Sequence, residues 1–313
     1  MSPTSRPAID LAALSARLPR RPLTRFAPSP TGYLHLGHIA NAVWVWGLAR
    51  ALGGRVLLRI EDHDRGRCRP EYEAALLEDL VWLGLEPDLG RPDELRRGRS
   101  DHRQSDSTGA YDAALAILAP AVFACDCSRK DLAELEGDVP NRETRYTGRC
   151  RARGLAASPG RGLRLRIEPG LERFDDARLG TQAQDPSSQC GDLLLRDRLG
   201  QWTYQFAVVV DDLRHGVDLV IRGDDLLSST GRQIQLARRL GRTGAPVFLH
   251  HPLIRKPAGE KLSKSSGDTG IRQLRSAGHS PAELLGRAAQ LTGLQAAAGP
   301  LEPSDLAKLF TGG

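Results

Sequence analysis

No run of 18 apolar residues occurs in this sequence, so a spanning helix is excluded. The longest apolar stretch, Ile39 to Ala49, is too short and carries two tryptophans, which suits a core-facing helix. No charged, apolar and small-residue series of a secretory signal opens the chain. No internal repeat is present, which removes solenoids and propellers. Lysine is scarce: 5 of the 44 basic residues, against 39 arginines, a bias expected from genome composition. Two of those five lysines fall within Lys261 to Ser265, where they stand out. Cysteine is sparse and odd in number: Cys68, Cys125, Cys127, Cys150 and Cys190. A disulfide framework needs pairs, so three cysteines within 26 residues point to a metal site in a reducing cytoplasm.

What is present reads as an ordinary globular composition, 40% hydrophobic and 26% charged over 313 residues. That length allows one large α/β domain with a smaller inserted or appended piece. The net charge of +6 is compatible with a polyanionic partner, since basic side chains at phosphates release counterions. Residues 1–22 read as an N-terminal extension. Leu23 to Ala27 is a strand, the region from Gly37 to Leu52 a helix, and Val56 to Ile60 a second strand. This is one βαβ unit, and its right-handed crossover makes the strands parallel. Helices are expected over Arg69 to Leu83 and Ser105 to Leu118. Residues 122–166 break the rhythm and hold the cysteine cluster, as an insertion would. The α/β pattern resumes over 167–270. Thr203 to Val210 is read as a strand from its β-branched and aromatic residues. Val217 to Ile221 and Pro246 to Ile254 are further strands, with a helix from Ser229 to Leu240 between them. Residues 271–313 form a short helical tail, too short for a second full domain.

Two loops carry the chemistry. His35-Leu36-Gly37-His38 opens the first helix, where unpaired N–H groups and the positive dipole end suit phosphate. Gly37 allows close approach, and His35 and His38, three apart, can both donate to phosphate oxygens. The second loop, Lys261-Leu262-Ser263-Lys264-Ser265, can close over a triphosphate and stabilise charge on departing pyrophosphate. Alone, the first reads as a satisfied and a surface histidine, the second as a solvated basic loop. In this order, some 220 residues apart, they resemble the two signatures of the class I aminoacyl-tRNA synthetases. The resemblance implies a Rossmann-like parallel sheet, with ATP across the carboxyl ends of its strands.

Four further segments resemble the glutamyl branch of that class: Arg25 to Gly32, Arg59 to Asp64, Tyr204 to Asp212, and Ile221 to Asp225. An acidic amino acid needs a cation for its side chain and an anion for its ammonium group, and arginine pairs with carboxylate best. Arg25 and Arg222 can supply the cations, Glu61 the anion and Tyr204 a hydrogen bond. The resemblance implies that Arg25, Ala27, Ser29, Glu61, Tyr204 and Arg222 bind L-glutamate. It also implies that His35, Gly37, His38 and Lys264 bind ATP, and that His35, His38, Lys261 and Lys264 act in catalysis with Mg²⁺. Each residue taken singly has a plainer reading as an ion pair, a cap or a strand aromatic. Asp211 and Asp212 read as structural caps or supporting acids.

In the insertion, Cys125 and Cys127 are followed, after 18 intervening residues, by Tyr146, and then by Cys150. Three thiolates at short spacing suit tetrahedral Zn²⁺. The glutamyl family has a similar set, which implies Tyr146 as fourth ligand of one structural zinc in the piece that handles the tRNA acceptor end. No anticodon-binding region is expected after the lysine loop. The chain therefore resembles the glutamyl-queuosine tRNA(Asp) synthetases, short paralogues that glutamylate the modified base queuosine. Gln205, where full-length glutamyl enzymes usually have Asn, points the same way; His63 is unusual for the short paralogues and is neutral.

The implied activity is cytoplasmic: glutamate, ATP and a tRNA are the partners, with no membrane and no protein partner, and activation proceeds without tRNA. The alternatives are a glutamyl-tRNA synthetase lacking its anticodon domain, a non-catalytic tRNA-binding paralogue, and a small-molecule adenylyltransferase of the same superfamily.

Overall fold

The computed structural model describes residues 9–136, 145–254 and 270–311. The βαβ unit expected at the start is there. Strand β1 (Leu23–Phe26) pairs in parallel with β2 (Arg55–Leu58), joined by the helix Leu36–Ala51. That helix is buried on almost every face and contains the fully buried Trp44. Its low amphipathicity follows from its place: strands lie on one side and the C-terminal helix Pro281–Leu291 on the other.

A small antiparallel sheet follows, made of β3 (Val122–Cys125), β4 (Gly162–Leu165) and β7 (Leu193–Arg196). It extends beyond residue 166, because β7 completes it. Between β4 and β7 come β5 (Glu172–Asp176) and β6 (Gly180–Gln184), an antiparallel hairpin. This hairpin joins the main sheet through β5, which lies parallel to β9 (Val247–His251); β9 is parallel to β8 (Leu219–Gly223). Strand β1 sits beside β8: Asp218 N–H donates to the Leu23 carbonyl at 2.9 Å, and the Arg25 side chain reaches the Ile221 carbonyl at 3.1 Å. Leu23 thus stands at Asp218 and Arg25 at Ile221, so both strands run the same way. The spatial order is β2, β1, β8, β9, β5, with β6 at the edge.

The core between this sheet and the helices includes Phe26, Val43, Trp44, Leu58, Ile221, Leu249 and Leu285. Each such aliphatic side chain stabilises the fold by about 1.5–3 kcal/mol on leaving water. The C-terminal end closes the same core, with Phe310 edge-on to Trp44 at 5.4 Å between ring centroids.

One expected strand is a helix. Tyr204 to Arg214 is helical, not extended, and crosses between β7 and β8. The β-branched run Val208-Val209-Val210 favoured a strand locally. Tertiary packing overrides that preference, because this helix is buried around most of its circumference, including Asp211 and Asp212. Among the described residues no helix is long and apolar enough to cross a membrane.

Candidate active site

The site lies where β1, β8 and the start of the helix Tyr204–Arg214 meet. Parallel strands carry their ends, and the turns after them, to one side of a sheet, where open α/β folds bind ligands. Arg25 points from β1 into the interior. Its Nε donates to both Asp212 carboxylate oxygens at 3.2 Å. Arg59, fully buried just after β2, donates to Asp212 at 2.7 Å and to Glu61 at 2.9 Å. Burial works against ionisation of Asp212, but the flanking Arg25 and Arg59 outweigh it and hold the carboxyl below its ordinary range. Asp211 accepts from Gln104 at 2.7 Å, from the Tyr111 hydroxyl at 3.0 Å and from Arg214 at 2.8 Å. Of the two aspartates read as caps or supporting acids, Asp212 pairs with both Arg25 and Arg59, and Asp211 stands 3.7 Å from Arg59.

Arg222 differs from its neighbours. It is 3% exposed, and among the described residues its side-chain partners, His250, Gln233, Thr230 and the adjoining Tyr204, are all neutral. Nε donates to His250 Nε2 at 3.0 Å, Nη1 to Gln233 Oε1 at 2.7 Å and Nη2 to Thr230 Oγ1 at 2.9 Å. Burial lowers its pKa, which is the mark of a cation lacking enough countercharge. Gln233 in turn donates to Gln205 at 2.7 Å, and Gln205 to Ser229 at 2.8 Å. The glutamine noted in the sequence as a departure therefore supports Arg222 at one remove. Tyr204 heads its helix within electrostatic reach of Arg222, Glu61, Arg25 and Asp212; burial raises its pKa.

Ala27 and Ser29 lie on the segment leaving β1, which stays in register with the segment leaving β2: Glu61 N–H donates to the Pro28 carbonyl at 3.1 Å. Ser29 Oγ stands 3.8 Å from Cys68 Sγ. Arg25, Glu61, Tyr204 and Arg222 are thus brought together, with Ala27 and Ser29 on the adjoining turn.

The histidine turn follows. His35 is the N-cap of the helix Leu36–Ala51; its Nδ1 accepts from Gly37 N–H at 3.1 Å. His38 Nδ1 accepts from His35 N–H at 3.1 Å, and the rings stand 4.0 Å apart. Since both Nδ1 atoms accept, each neutral ring carries its proton on Nε2, giving two donors at a helix N-terminus. A side chain at Gly37 would meet the His35 ring at 3.0 Å, so glycine keeps this cap closed. Lys261 and Lys264 lie outside the described residues. The described segments on either side are at the site: β9 comes before residues 255–269, and Gly270 after them forms an antiparallel bridge with His35.

A second cluster lies in the small sheet. The Sγ atoms of Cys125, Cys127 and Cys150 all lie within 4.8 Å of one another, with Cys127 and Cys150 3.6 Å apart. Tetrahedral zinc with Zn–S bonds of about 2.3 Å requires sulfurs about 3.8 Å apart, so the spacing suits that ion. The Tyr146 hydroxyl accepts from Cys150 N–H at 2.8 Å and borders Cys125 as well. Burial raises the Tyr146 phenol, and pushes the Cys127 thiol up to about 12. Three thiols and a phenol around one point form a donor set a metal could use.

A family model for the catalytic domain of class I tRNA synthetases (E and Q) matches residues 23–300. The "Glutamyl-Q tRNA(Asp) synthetase" of Nitratidesulfovibrio vulgaris is 40% identical over 302 residues, covering 92% of this chain and 91% of its own. The chain belongs to this family. The glutamyl-Q tRNA(Asp) synthetase of Burkholderia cenocepacia is 42% identical over 256 residues, covering 80% of this chain and 82% of its own. A glutamate-tRNA synthetase crystal structure from Elizabethkingia anophelis superposes with a TM-score of 0.74 at 26% identity, covering 92% of this chain. This chain spans 65% of that longer one. A second, from Elizabethkingia meningosepticum in complex with its amino acid, gives 0.71 at 25% identity. This chain has the class I catalytic fold, an α/β unit with a parallel sheet, and is a class I synthetase-like ligase.

Sequence reasoning gave no role to Arg59, Asp176, Thr230, Gln233 or His250. Arg59 could have been suspected: a buried-looking strand ending in Arg-Ile-Glu needs counterions, and Asp211-Asp212 inside an apolar run needs cations.

Proposed function

We propose that this ligase activates L-glutamate with ATP and transfers the glutamyl group to the queuosine base of tRNA(Asp). The observation that carries the reading is Arg222, a buried guanidinium met, among the described residues, only by neutral side chains. Taking an arginine out of water without a counterion is costly. A ligand carboxylate with a side chain of glutamate length supplies the missing charge, in the bidentate geometry that guanidinium favours. Glu61, already bonded to Arg59 through one oxygen, is the acceptor for the substrate ammonium group, and Tyr204 stands beside both. Arg25, engaged by Asp212, adds positive potential next to the carboxylates.

In the first step the glutamate α-carboxylate attacks the α-phosphorus of ATP. A P–O bond forms, pyrophosphate leaves, and glutamyl-adenylate results. The Nε2–H groups of His35 and His38, with Lys261 and Lys264, stabilise the charge that develops on the phosphates; Mg²⁺ would add Lewis-acid stabilisation there. In the second step a hydroxyl of the queuosine ring attacks the mixed anhydride and AMP leaves. The names of the relatives at 40% and 42% identity favour this acceptor. The cysteine cluster with Tyr146 would hold one structural Zn²⁺ and brace the small sheet, the part expected to meet RNA. Activation proceeds without tRNA in this reading, and the setting is cytoplasmic.

The test is ATP–pyrophosphate exchange followed by transfer of labelled glutamate to tRNAs with and without queuosine. Exchange with glutamate and label on queuosine-containing tRNA(Asp) are expected. Label on the 3′ adenosine of tRNA(Glu) would remove the queuosine acceptor, and no exchange at all would leave a binding protein.

A further inference from the structure

Three adjacent strands each contribute one side chain to a single line of hydrogen bonds. Asp176 ends β5, His250 lies on β9 and Arg222 on β8; Arg222 and His250 are register partners. Asp176 Oδ2 is 2.7 Å from His250 Nδ1 and also accepts the His250 backbone N–H at 3.1 Å. Asp176 Oδ1 accepts from the backbone N–H groups of Arg178 and Leu179 at 3.0 and 2.9 Å. The aspartate is thereby fixed and ionised: burial opposes its charge, but the bond to His250 and the backbone donors hold its pKa below the ordinary range. A carboxylate can only accept, so His250 Nδ1 carries a proton. Arg222 Nε can only donate, so His250 Nε2 must be bare. Both ends therefore select one species of the ring, the neutral tautomer protonated on Nδ1.

We propose that His250, oriented by Asp176, is a positioning residue that fixes the Arg222 guanidinium for the side-chain carboxylate of the amino-acid substrate, and does so only while its ring is neutral. The inference rests on the reading of Arg222 as the carboxylate receptor. Among the described residues Arg222 has no hydrogen-bonded carboxylate to aim it, so its direction is set by His250, Gln233 and Thr230, with Tyr204 alongside. Thr230 Oγ1 also lies 3.3 Å from His250 Nε2, which closes the ring of contacts. A second proton on His250 would remove the acceptor for Arg222 Nε and set two buried cations 3.0 Å apart.

Among the described residues, the titratable and charged groups facing His250 are Asp176 from β5, Arg178 just beyond it, Arg222 from β8, Asp224 after β8 and the neighbouring His251. Arg178 and Asp224 pair with each other at 3.6 Å, so their effects largely offset. Burial is the largest influence and keeps the ring neutral, with Arg222 acting the same way; Asp176 opposes both, and the net pKa is below the ordinary histidine value. The site thus keeps its carboxylate receptor aligned at neutral pH and loses alignment in acid.

The test measures ATP–pyrophosphate exchange between pH 5.5 and 8.5 for wild type, His250→Ala and His250→Gln, with folding checked by thermal unfolding. His250→Ala is expected to raise KM for glutamate about tenfold, the loss of roughly one buried hydrogen bond to a charged group, with KM for ATP within about twofold. His250→Gln, whose Oε1 can accept from Arg222 but cannot titrate, should recover most of the affinity. It should also lack the rise in glutamate KM that wild type shows in acid. Equal changes in both KM values, or the same acid limb in wild type and His250→Gln, would overturn the proposal. A long-range ¹H–¹⁵N spectrum gives a reading that does not depend on substrate. Nδ1 protonated and Nε2 bare is expected for His250, and a proton on Nε2 refutes the relay outright. Wild type that exchanges with another amino acid and not glutamate would instead sink the reading of Arg222, and this inference with it. Glutamate exchange left untouched by His250→Ala would sink the relay alone.

Discussion

Arg59 and Asp212 meet at 2.7 Å in the interior, and this pair is the hub on which the candidate site is hung. Asp212 carries Arg25 on its other side, and Arg59 carries Glu61. Removing one member of such a buried set leaves the others uncompensated, whereas the intact set is close to neutral in its effect. Asp212→Ala is therefore expected to destabilise the fold by about 3–5 kcal/mol, measured by urea unfolding at pH 7. The pH dependence follows from the direction of the shift. The folded-state pKa of Asp212 is depressed, so its contribution is complete above the ordinary aspartate range and is lost as pH falls through the folded value. The gap between wild type and Asp212→Ala should accordingly narrow in acid. A gap that is small at pH 7, or that widens on acidification, would contradict this account.

The histidine turn makes a kinetic prediction. If His38 Nε2–H stabilises charge on the transferring phosphoryl group, its loss should appear in the chemical step and not in amino-acid binding. His38→Ala should lower kcat for ATP–pyrophosphate exchange by about 10²–10³-fold, the usual cost of one oxyanion donor, with KM for glutamate little changed. His38 also caps the helix by accepting from His35 N–H, so His38→Asn, which retains an acceptor, serves as the folding control. Loss of glutamate affinity with kcat intact would move His38 out of the phosphate site.

Much of this is legible in the sequence. The βαβ unit around His35 and His38 was legible because helix caps, glycine stops and a β-branched strand all agree there. The set proposed to bind glutamate is legible in the sequence as four segments, though not as an arrangement. Tyr204 was placed on a strand because Val208 to Val210 read as β. What decided otherwise lies far away in sequence: Arg25 and Arg59 neutralise Asp211 and Asp212, which lets a helix carrying two acids be buried. Distant compensation of this kind leaves no local trace. His250 was invisible for the same reason, since its partners Asp176 and Arg222 stand 74 and 28 residues away.

Asp79 offers a test of burial without compensation. It lies on the helix Pro70–Trp82, is 2% exposed, and its Oδ2 has no hydrogen-bond partner among the described residues. Burial pushes its pKa up to about 6, although Arg272 and Arg275 pull the other way. A carboxyl whose folded pKa lies above its unfolded value near 3.8 binds more protons in the folded state over that interval. Stability therefore falls as pH rises from about 4 to 6 and stays reduced above. Asp79→Asn should stabilise the protein by about 1–3 kcal/mol at pH 8, at roughly 1.4 kcal/mol per pK unit, and by nothing measurable below pH 4. Unfolding curves at both pH values decide it, and an equal effect at the two would refute the assignment.

The cysteine cluster depends on a backbone contact that makes a sharper target than the ligands themselves. Gly191 forms a parallel bridge with Tyr146 at φ +66°, and a Cβ there would stand 1.9 Å from the Tyr146 carbonyl oxygen. No rotamer relieves a clash with backbone, so Gly191→Ala must push Tyr146 away from Cys125 and Cys150. If the four side chains hold Zn²⁺, this variant should lose bound metal, measured by mass spectrometry of the dialysed protein, as Cys150→Ser should. Tyr146→Phe keeps the ring under Arg164, which lies 3.9 Å from its centroid, and removes only the oxygen. It should retain zinc but release it to a chelator more readily. Because the cluster sits in the small sheet, away from Arg222 and the histidine turn, glutamate-dependent pyrophosphate exchange should survive in Tyr146→Phe while transfer to tRNA falls. Equal loss of both activities would mean that the metal supports the whole fold, and zinc released from Tyr146→Phe no faster than from wild type would mean that Tyr146 is not a ligand.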